Sequence, residues 1–180
     1  HATPFWLHLA DHYESRAVHQ ATLIVANTEV ACRNLQAMYP DRAHDIVTVM
    51  NGADDDPLPG SCHGRTFVIA HAGTVYLDRD PRGLFQAAGR VIRALQLTPD
   101  DFQLAFMGEL SAVGGFPILD VARQEGIEAY VSVAPPQPHA KAMEFMAQAT
   151  MLVTMSGGNL AAIPAKTFEC IRFESWILAL

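Results

Sequence analysis

The sequence has little of what a nucleic-acid-binding, membrane-spanning or disulfide-built protein needs. It carries 12 Lys and Arg against 19 Asp and Glu, for a net charge of −7. Its basic residues are scattered, and without a basic stripe it lacks the surface that tracks a nucleic-acid backbone. No apolar run reaches the roughly 18 residues that cross a bilayer. The opening His1-Ala2-Thr3-Pro4 has no basic region, and the apolar run behind it is short and broken by His8, so it is not read as a secretory signal. Cysteine is scarce: Cys32, Cys62 and Cys170 are odd in number and far apart, which suits free thiols in a reducing compartment. Neither Gly-x-Gly-x-x-Gly nor Gly-Lys-Ser/Thr occurs, so the dinucleotide fingerprint and the P-loop are both excluded. Repeats and low-complexity tracts are absent too.

What the chain does have is apolar residues, at 50% of 180, enough to bury a real core. Runs of four to six apolar residues alternate with amphipathic stretches. Strands are expected at 5–10, 23–26, 46–50, 67–71, 102–107, 129–133, 151–154 and 176–180. Helices are expected at 13–20, 29–38, 81–95, 116–125, 139–147 and 164–173. Continuous apolar strands separated by helices predict an α/β fold, a Rossmann-like parallel sheet with helices on both faces. Thr28 is placed to cap its helix, Pro81 to open one and Gly126 to close one.

Asn51 to Gly60 is acidic, rich in Gly and Pro, and without a periodic apolar face. It reads as a surface loop or as a hinge between domains, and the hinge is preferred because a fresh strand–helix series starts at Thr66. The expected organisation is therefore 1–52 as the end of one Rossmann-like domain, 53–64 as the hinge and 65–180 as a second, incomplete one. Both ends are expected to be cuts in a longer chain. The opening reads as a strand entered in mid-fold, and Trp176 to Leu180 reads as a central strand left uncovered.

Ligands of open α/β sheets bind beyond the carboxyl ends of the strands. That rule directs attention to Gly73 and Thr74 after the strand at 67–71, where glycine lets a ligand approach the backbone. Arg79 and Arg82 follow, each either a phosphate contact or a solvated loop arginine. Gly108 and Val133 mark two further strand ends. The loop Ser156-Gly157-Gly158-Asn159 leads to Pro164, Lys166 and Glu169. Pro164 suits the first turn of a helix, whose free N–H groups favour an anion. Lys166 adds a full charge there, and Glu169 on the same face can accept hydrogen bonds from a ribose diol. The alternative is a simple salt bridge between the two, worth ~0–1 kcal/mol. His8 and His12 lack a third partner for zinc, His71 reads as a structural histidine or a ligand contact, and Cys170 reads as core.

Taken together these positions resemble the GT-B glycosyltransferases, in particular the retaining family 4-like enzymes, over most of the chain. Ala21 to Glu29 looks like a late segment of that family's N-terminal domain, and Asn51-Gly52-Ala53-Asp54 like its crossover. Ala72-Gly73-Thr74-Val75 is similar to the first strand end of its C-terminal domain, with Thr74 where arginine is common and Arg79 at a lysine position. Pro164, Lys166 and Glu169 reproduce a Pro-x-Lys-x-x-Glu pattern found in a subset, while Ala161 stands where many members carry a sugar-contacting glutamate.

The resemblance implies transfer of a sugar from a nucleotide-diphosphate donor (UDP or GDP) to a glycan or lipid-linked acceptor, as in cell-envelope polysaccharide synthesis. Arg79 and Lys166 would stabilise the leaving diphosphate. Gly73, Thr74, Gly108, Val133, Ser156, Gly157, Gly158, Asn159 and Glu169 would hold the donor. A helix start with Arg79 and Lys166 would stabilise that diphosphate without a metal ion, and neither metal nor other cofactor is expected. A cytoplasmic enzyme, associated with the inner membrane face through its N-terminal domain, is the implied setting. The segment by itself is expected to bind nucleotide without efficient transfer. A nucleotide-sugar epimerase on the same fold and a non-catalytic α/β binding module are the competing readings.

Overall fold

The structure, a computed structural model, describes residues 3–75, 80–110, 117–156 and 161–180. It forms two compact units. One runs to Asn51 and includes residues 161–163; the other takes the chain from Gly52 and the segment Pro164–Leu180. Among the described residues, no helix is long and apolar enough to cross a membrane.

The first unit opens with a helix, α1 (Pro4–Gln20), where a strand was expected over 5–10. The reason is local. Pro4 occupies the first helical position, Leu7 N–H bonds back to Thr3 O at 3.1 Å, and the run contains no β-branched residue to favour extension. Its apolar residues are not core either, since Phe5, Trp6 and Leu7 are more than half exposed. Two short parallel strands follow, β1 (Ile24–Ala26) and β2 (Ile46–Thr48), paired Ile24 to Ile46 through Ala26 to Thr48.

Between these strands runs α2 (Glu29–Met38), capped as expected: Thr28 Oγ1 accepts from Ala31 N–H at 3.0 Å and donates to Ala161 O at 2.6 Å. Ala26, Cys32 and Ile46 form this unit's small core. Arg42, on a 3-10 turn over Pro40–Asp45, closes the end of α1. Its guanidinium donates to the carbonyls of Val18, His19 and Ala21 at 2.6–2.9 Å.

The second unit is a five-stranded parallel sheet with strands β3 (Phe67–Ala72), β4 (Phe102–Met107), β5 (Val131–Ala134), β6 (Met151–Thr154) and β7 (Trp176–Ala179). Their spatial order is β5-β4-β3-β6-β7. The helices are α3 (Arg82–Leu95), α4 (Ile118–Gln124), α5 (His139–Ala147) and α6 (Ala165–Cys170). Gly126, at φ +72°, ends the α4 segment in the left-handed conformation that glycine adopts without strain.

Strand alternation explains the double winding. Ile69, Leu104, Phe106 and Val153 pack on one face with Phe85 and Ile92 of α3 and Val121 of α4. Ala70, Ala72, Ala105 and Leu152 face the other way, toward Met143 and Met146 of α5 and Cys170 of α6. The three alanines leave room for the long methionines, and filling that room stabilises by ~1.5–3 kcal/mol per fully buried side chain. The stretch from Gly52 to Arg65 has no regular structure. It is anchored to this unit by Leu58 in the second core, by Cys62 N–H to Ala147 O at 3.2 Å and by Arg172 Nη2 to Asp56 O at 2.6 Å.

Candidate functional site

β3 is the first strand of its sheet in sequence and pairs with β4 on one side and β6 on the other. The chain runs outward from β3 through β4 to β5, and from β6 outward the opposite way to β7. Loops that depart to opposite sides must separate, and the crevice between them is where such sheets bind ligands. The carboxyl end of β3 is tied down by backbone bonds. Gly73 N–H donates to Met107 O at 2.9 Å, Val75 N–H to Glu109 O at 3.1 Å, and Gly108 N–H to Ala134 O at 3.1 Å.

These bonds press two glycines together. A β-carbon on Gly108 would sit 2.1 Å from Gly73 O, and Gly108 holds φ at +144°. Gly108 is therefore required by its neighbour's carbonyl, before any ligand is considered. Gly73, at φ +156°, has less severe company: a β-carbon there would meet His71 Nε2 at 3.3 Å. His71 is buried beneath this point, its Nδ1 lying 2.9 Å from Val153 O and its ring 6.1 Å from Phe106. A carbonyl only accepts, so Nδ1 carries the proton of that bond.

Two cavities open above this floor. One, of about 220 Å3, is lined by Gly73, Thr74, Gly108, Glu109, Pro136, Gln137, Ala142 and Lys166. The other, of about 300 Å3, is lined by His71, Gly73, Thr74, Thr154, Met155, Pro164, Ala165 and Lys166. They share Ala72, Gly73, Thr74 and Lys166, so one lysine borders both. Lys166 Nζ lies 2.6 Å from Glu169 Oε2, and His139 Nε2 lies 3.9 Å from Glu169 Oε1. Both members of the Lys166–Glu169 pair are partly buried, at 31% and 24% side-chain exposure, which raises their mutual attraction above that of a solvated pair. Behind them Cys170 is core, and burial pushes its thiol up to about 11.

Several sequence expectations meet here and several do not. Gly73, Thr74, Gly108 and Lys166 line the cavities, whereas Glu169 lines neither and is joined to them only by its contact with Lys166. Val133 lies on β5, 40% exposed, and lines neither cavity. Ser156 is turned to the sheet edge, where its N–H and hydroxyl both donate to Leu180 O at 2.8 and 3.0 Å. Arg79, Gly157, Gly158 and Asn159 lie outside the described residues. Arg82 pairs with Asp80 at 3.2 Å.

Pro164 is the residue before the first turn of α6, not inside it, because its ψ of 131° is still extended. With only six residues, α6 has few aligned peptide dipoles. The positive charge at this point comes chiefly from the Lys166 side chain. Glu109, Gln137 and Ala142 in the cavity wall, and His139 beside Glu169, were not expected from the sequence. Glu109 directly follows Gly108 and was within reach of the strand-end rule; Ala142 has no signal of its own. Among the described residues, no three His, Cys, Asp or Glu side chains are gathered to hold a metal ion.

Glycosyltransferases are among the solved structures of similar architecture. The chain is similar to the lipopolysaccharide outer core galactosyltransferase WaaB in its apo form, with a TM-score of 0.60 and 18% identity over 88% of this chain and 43% of that one. It is similar to WaaG, a glycosyltransferase involved in lipopolysaccharide biosynthesis, with a TM-score of 0.63 and 16% identity over 89% and 46%. It is similar to a point mutant of S. aureus TarM in complex with Fondaparinux, alpha-GlcNAc-glycerol and UDP, with a TM-score of 0.65 and 13% identity over 94% and 32%. No family model and no curated protein matches the sequence. The fold is that of the GT-B glycosyltransferases, and the chain spans less than half the length of each of these three structures.

Proposed function

We propose that the second unit binds the nucleoside-diphosphate part of a sugar donor, and that the protein serves a glycosyltransferase reaction of the kind the GT-B fold hosts. The observation that carries this reading is the pair of cavities sharing Gly73, Thr74 and Lys166 at the point where the sheet's loops diverge. In such a reaction the bond from the anomeric carbon to the diphosphate breaks, and negative charge gathers on the leaving group. A fixed ammonium in a partly buried site stabilises that charge best. Lys166 has that role in this reading, with Arg79 as its expected partner. Glu169 receives the ribose hydroxyls, and no metal is needed for either step.

Residues 1–52 then belong to an acceptor-side domain, 53–64 to a hinge and 65–180 to the donor side. The acceptor is a glycan or lipid-linked saccharide, handled at the cytoplasmic face of a membrane. UDP in the TarM complex supports a uridine nucleotide as the first donor to try.

Calorimetry with UDP and GDP, with and without EDTA, tests the reading. One nucleotide should bind whether or not a chelator is present, and Glu169→Ala and Lys166→Ala should each weaken it by ~10-fold or more, the loss expected for a hydrogen bond to a charged group. No binding of either nucleotide, or no response to the substitutions, would overturn it. A second reading, a binding module without transfer, is favoured by Ala161. This residue brings no carboxylate to a donor sugar, and its carbonyl is engaged by Thr28. Donor turnover by the chain, measured as released UDP or GDP, separates the two.

A further inference from the structure

Lys166 and Glu169 are each other's nearest polar partner in the structure, and that has a consequence for ligand choice. Lys166 borders both cavities, its ammonium is 2.6 Å from Glu169 Oε2, and the other carboxylate oxygen faces His139 across 3.9 Å. We propose that this ion pair is a specificity filter, making the site select ligands that carry a diol and an anion together and reject those that carry the diol alone. The inference rests on the nucleotide reading above.

A vicinal diol is held best when both carboxylate oxygens accept from it. A neutral nucleoside that takes Glu169 in this way leaves Lys166, partly buried, without its counter-charge. Removing one partner of a sheltered pair strands the other, and that cost counts against the incoming ligand. The alternative for the nucleoside is to leave the pair intact and accept one poor hydrogen bond. A nucleoside diphosphate meets no such choice. Its phosphates re-pair Lys166 as its ribose takes Glu169, so one charged contact is exchanged for another. Selectivity thus comes from the site's own residues competing for each other, a form of rejection built against the incomplete ligand.

Binding of uridine, guanosine, UDP and GDP to the full chain, by saturation-transfer NMR and calorimetry, tests the filter. Lys166→Met should tighten the nucleosides by ~2- to 5-fold, the range of a partly exposed ion pair. The same change should weaken the diphosphates by ~10-fold or more. Glu169→Gln should weaken both kinds of ligand. Should Lys166→Met fail to fold, judged by circular dichroism, Lys166→Gln removes the same charge and should likewise tighten the nucleosides and weaken the diphosphates. Diphosphates that bind normally to wild type beside nucleosides that are unmoved or weakened by loss of the Lys166 charge would reduce Lys166 to a phosphate contact and overturn the filter. If wild-type protein binds neither UDP nor GDP, the nucleotide reading itself fails, a different result.

Discussion

Gly108 shows how closely a single residue can be constrained. With Gly73 O only 2.1 Å from where a β-carbon would stand, and with φ at +144°, Gly108→Ala forces backbone against backbone. No flexible side chain is there to yield. The substitution should cost about 3 kcal/mol or more, as for overpacking with added backbone strain, and urea denaturation measures it. Gly73→Ala should cost less, because its nearest neighbour is a ring edge at 3.3 Å. The cysteines give a second residue-level outcome. Cys62 is exposed while Cys32 and Cys170 are buried, and burial holds the Cys170 thiol up to about 11. Thiolate is the reactive form, so iodoacetamide at pH 8 should add one group to native protein, at Cys62, and three in denaturant, read by mass spectrometry.

At the scale of elements, the turn between α3 and β4 is pinned by charge. Asp101 accepts from the Thr98 hydroxyl at 2.7 Å and from the Thr98 N–H at 3.0 Å, and these bonds hold its carboxyl below the ordinary 3.8. A carboxyl depressed in the folded state stabilises the fold above its unfolded value. That contribution disappears as pH falls through the folded value. Thermal unfolding from pH 6 to pH 3 should therefore show Asp101→Asn less stable than wild type at pH 6, with the gap closing below pH 4. Glu128 is depressed by Arg123 and loses its contribution in the same direction.

Most elements were legible because their period and their ends agreed. The helices at 29–38 and 139–147 and the strands at 102–107 and 151–154 have the bounds expected from sequence. The failure at 5–10 has the opposite cause. A mostly apolar run is the mark of a buried strand only if something buries it, and α1 keeps Phe5, Trp6 and Leu7 more than half exposed. Period alone does not report burial.

At the scale of the whole chain, the stretch after Asn51 is where the two units part. Its first residues are open, while Asp56, Leu58 and Cys62 are each fixed to the second unit. Limited proteolysis should concentrate at residues 52–55 and spare 56–62, which N-terminal sequencing of the fragments would reveal. Cuts spread evenly across 52–64 would show that the anchors do not hold.

The site was legible in part for the same reason as the fold. Strand-end glycines and the Lys166–Glu169 spacing are written in sequence. Gln137 and Ala142 enter the cavity only because α5 packs on β3 and β4, and a tertiary placement leaves no local trace. Ser156 misled because a polar residue beside glycines looks available, whereas its donors are spent on Leu180.

The contact between Gly73 and Gly108 also limits how this protein can change. The crevice floor between β3 and β4 is made of main-chain amides, and substitution there destroys the seam before it alters any preference. Variation that retunes a ligand is confined to the walls: Thr74, Glu109, Gln137 and Lys166. Related chains with new specificities should therefore differ along those four positions and share the same bare seam beneath them.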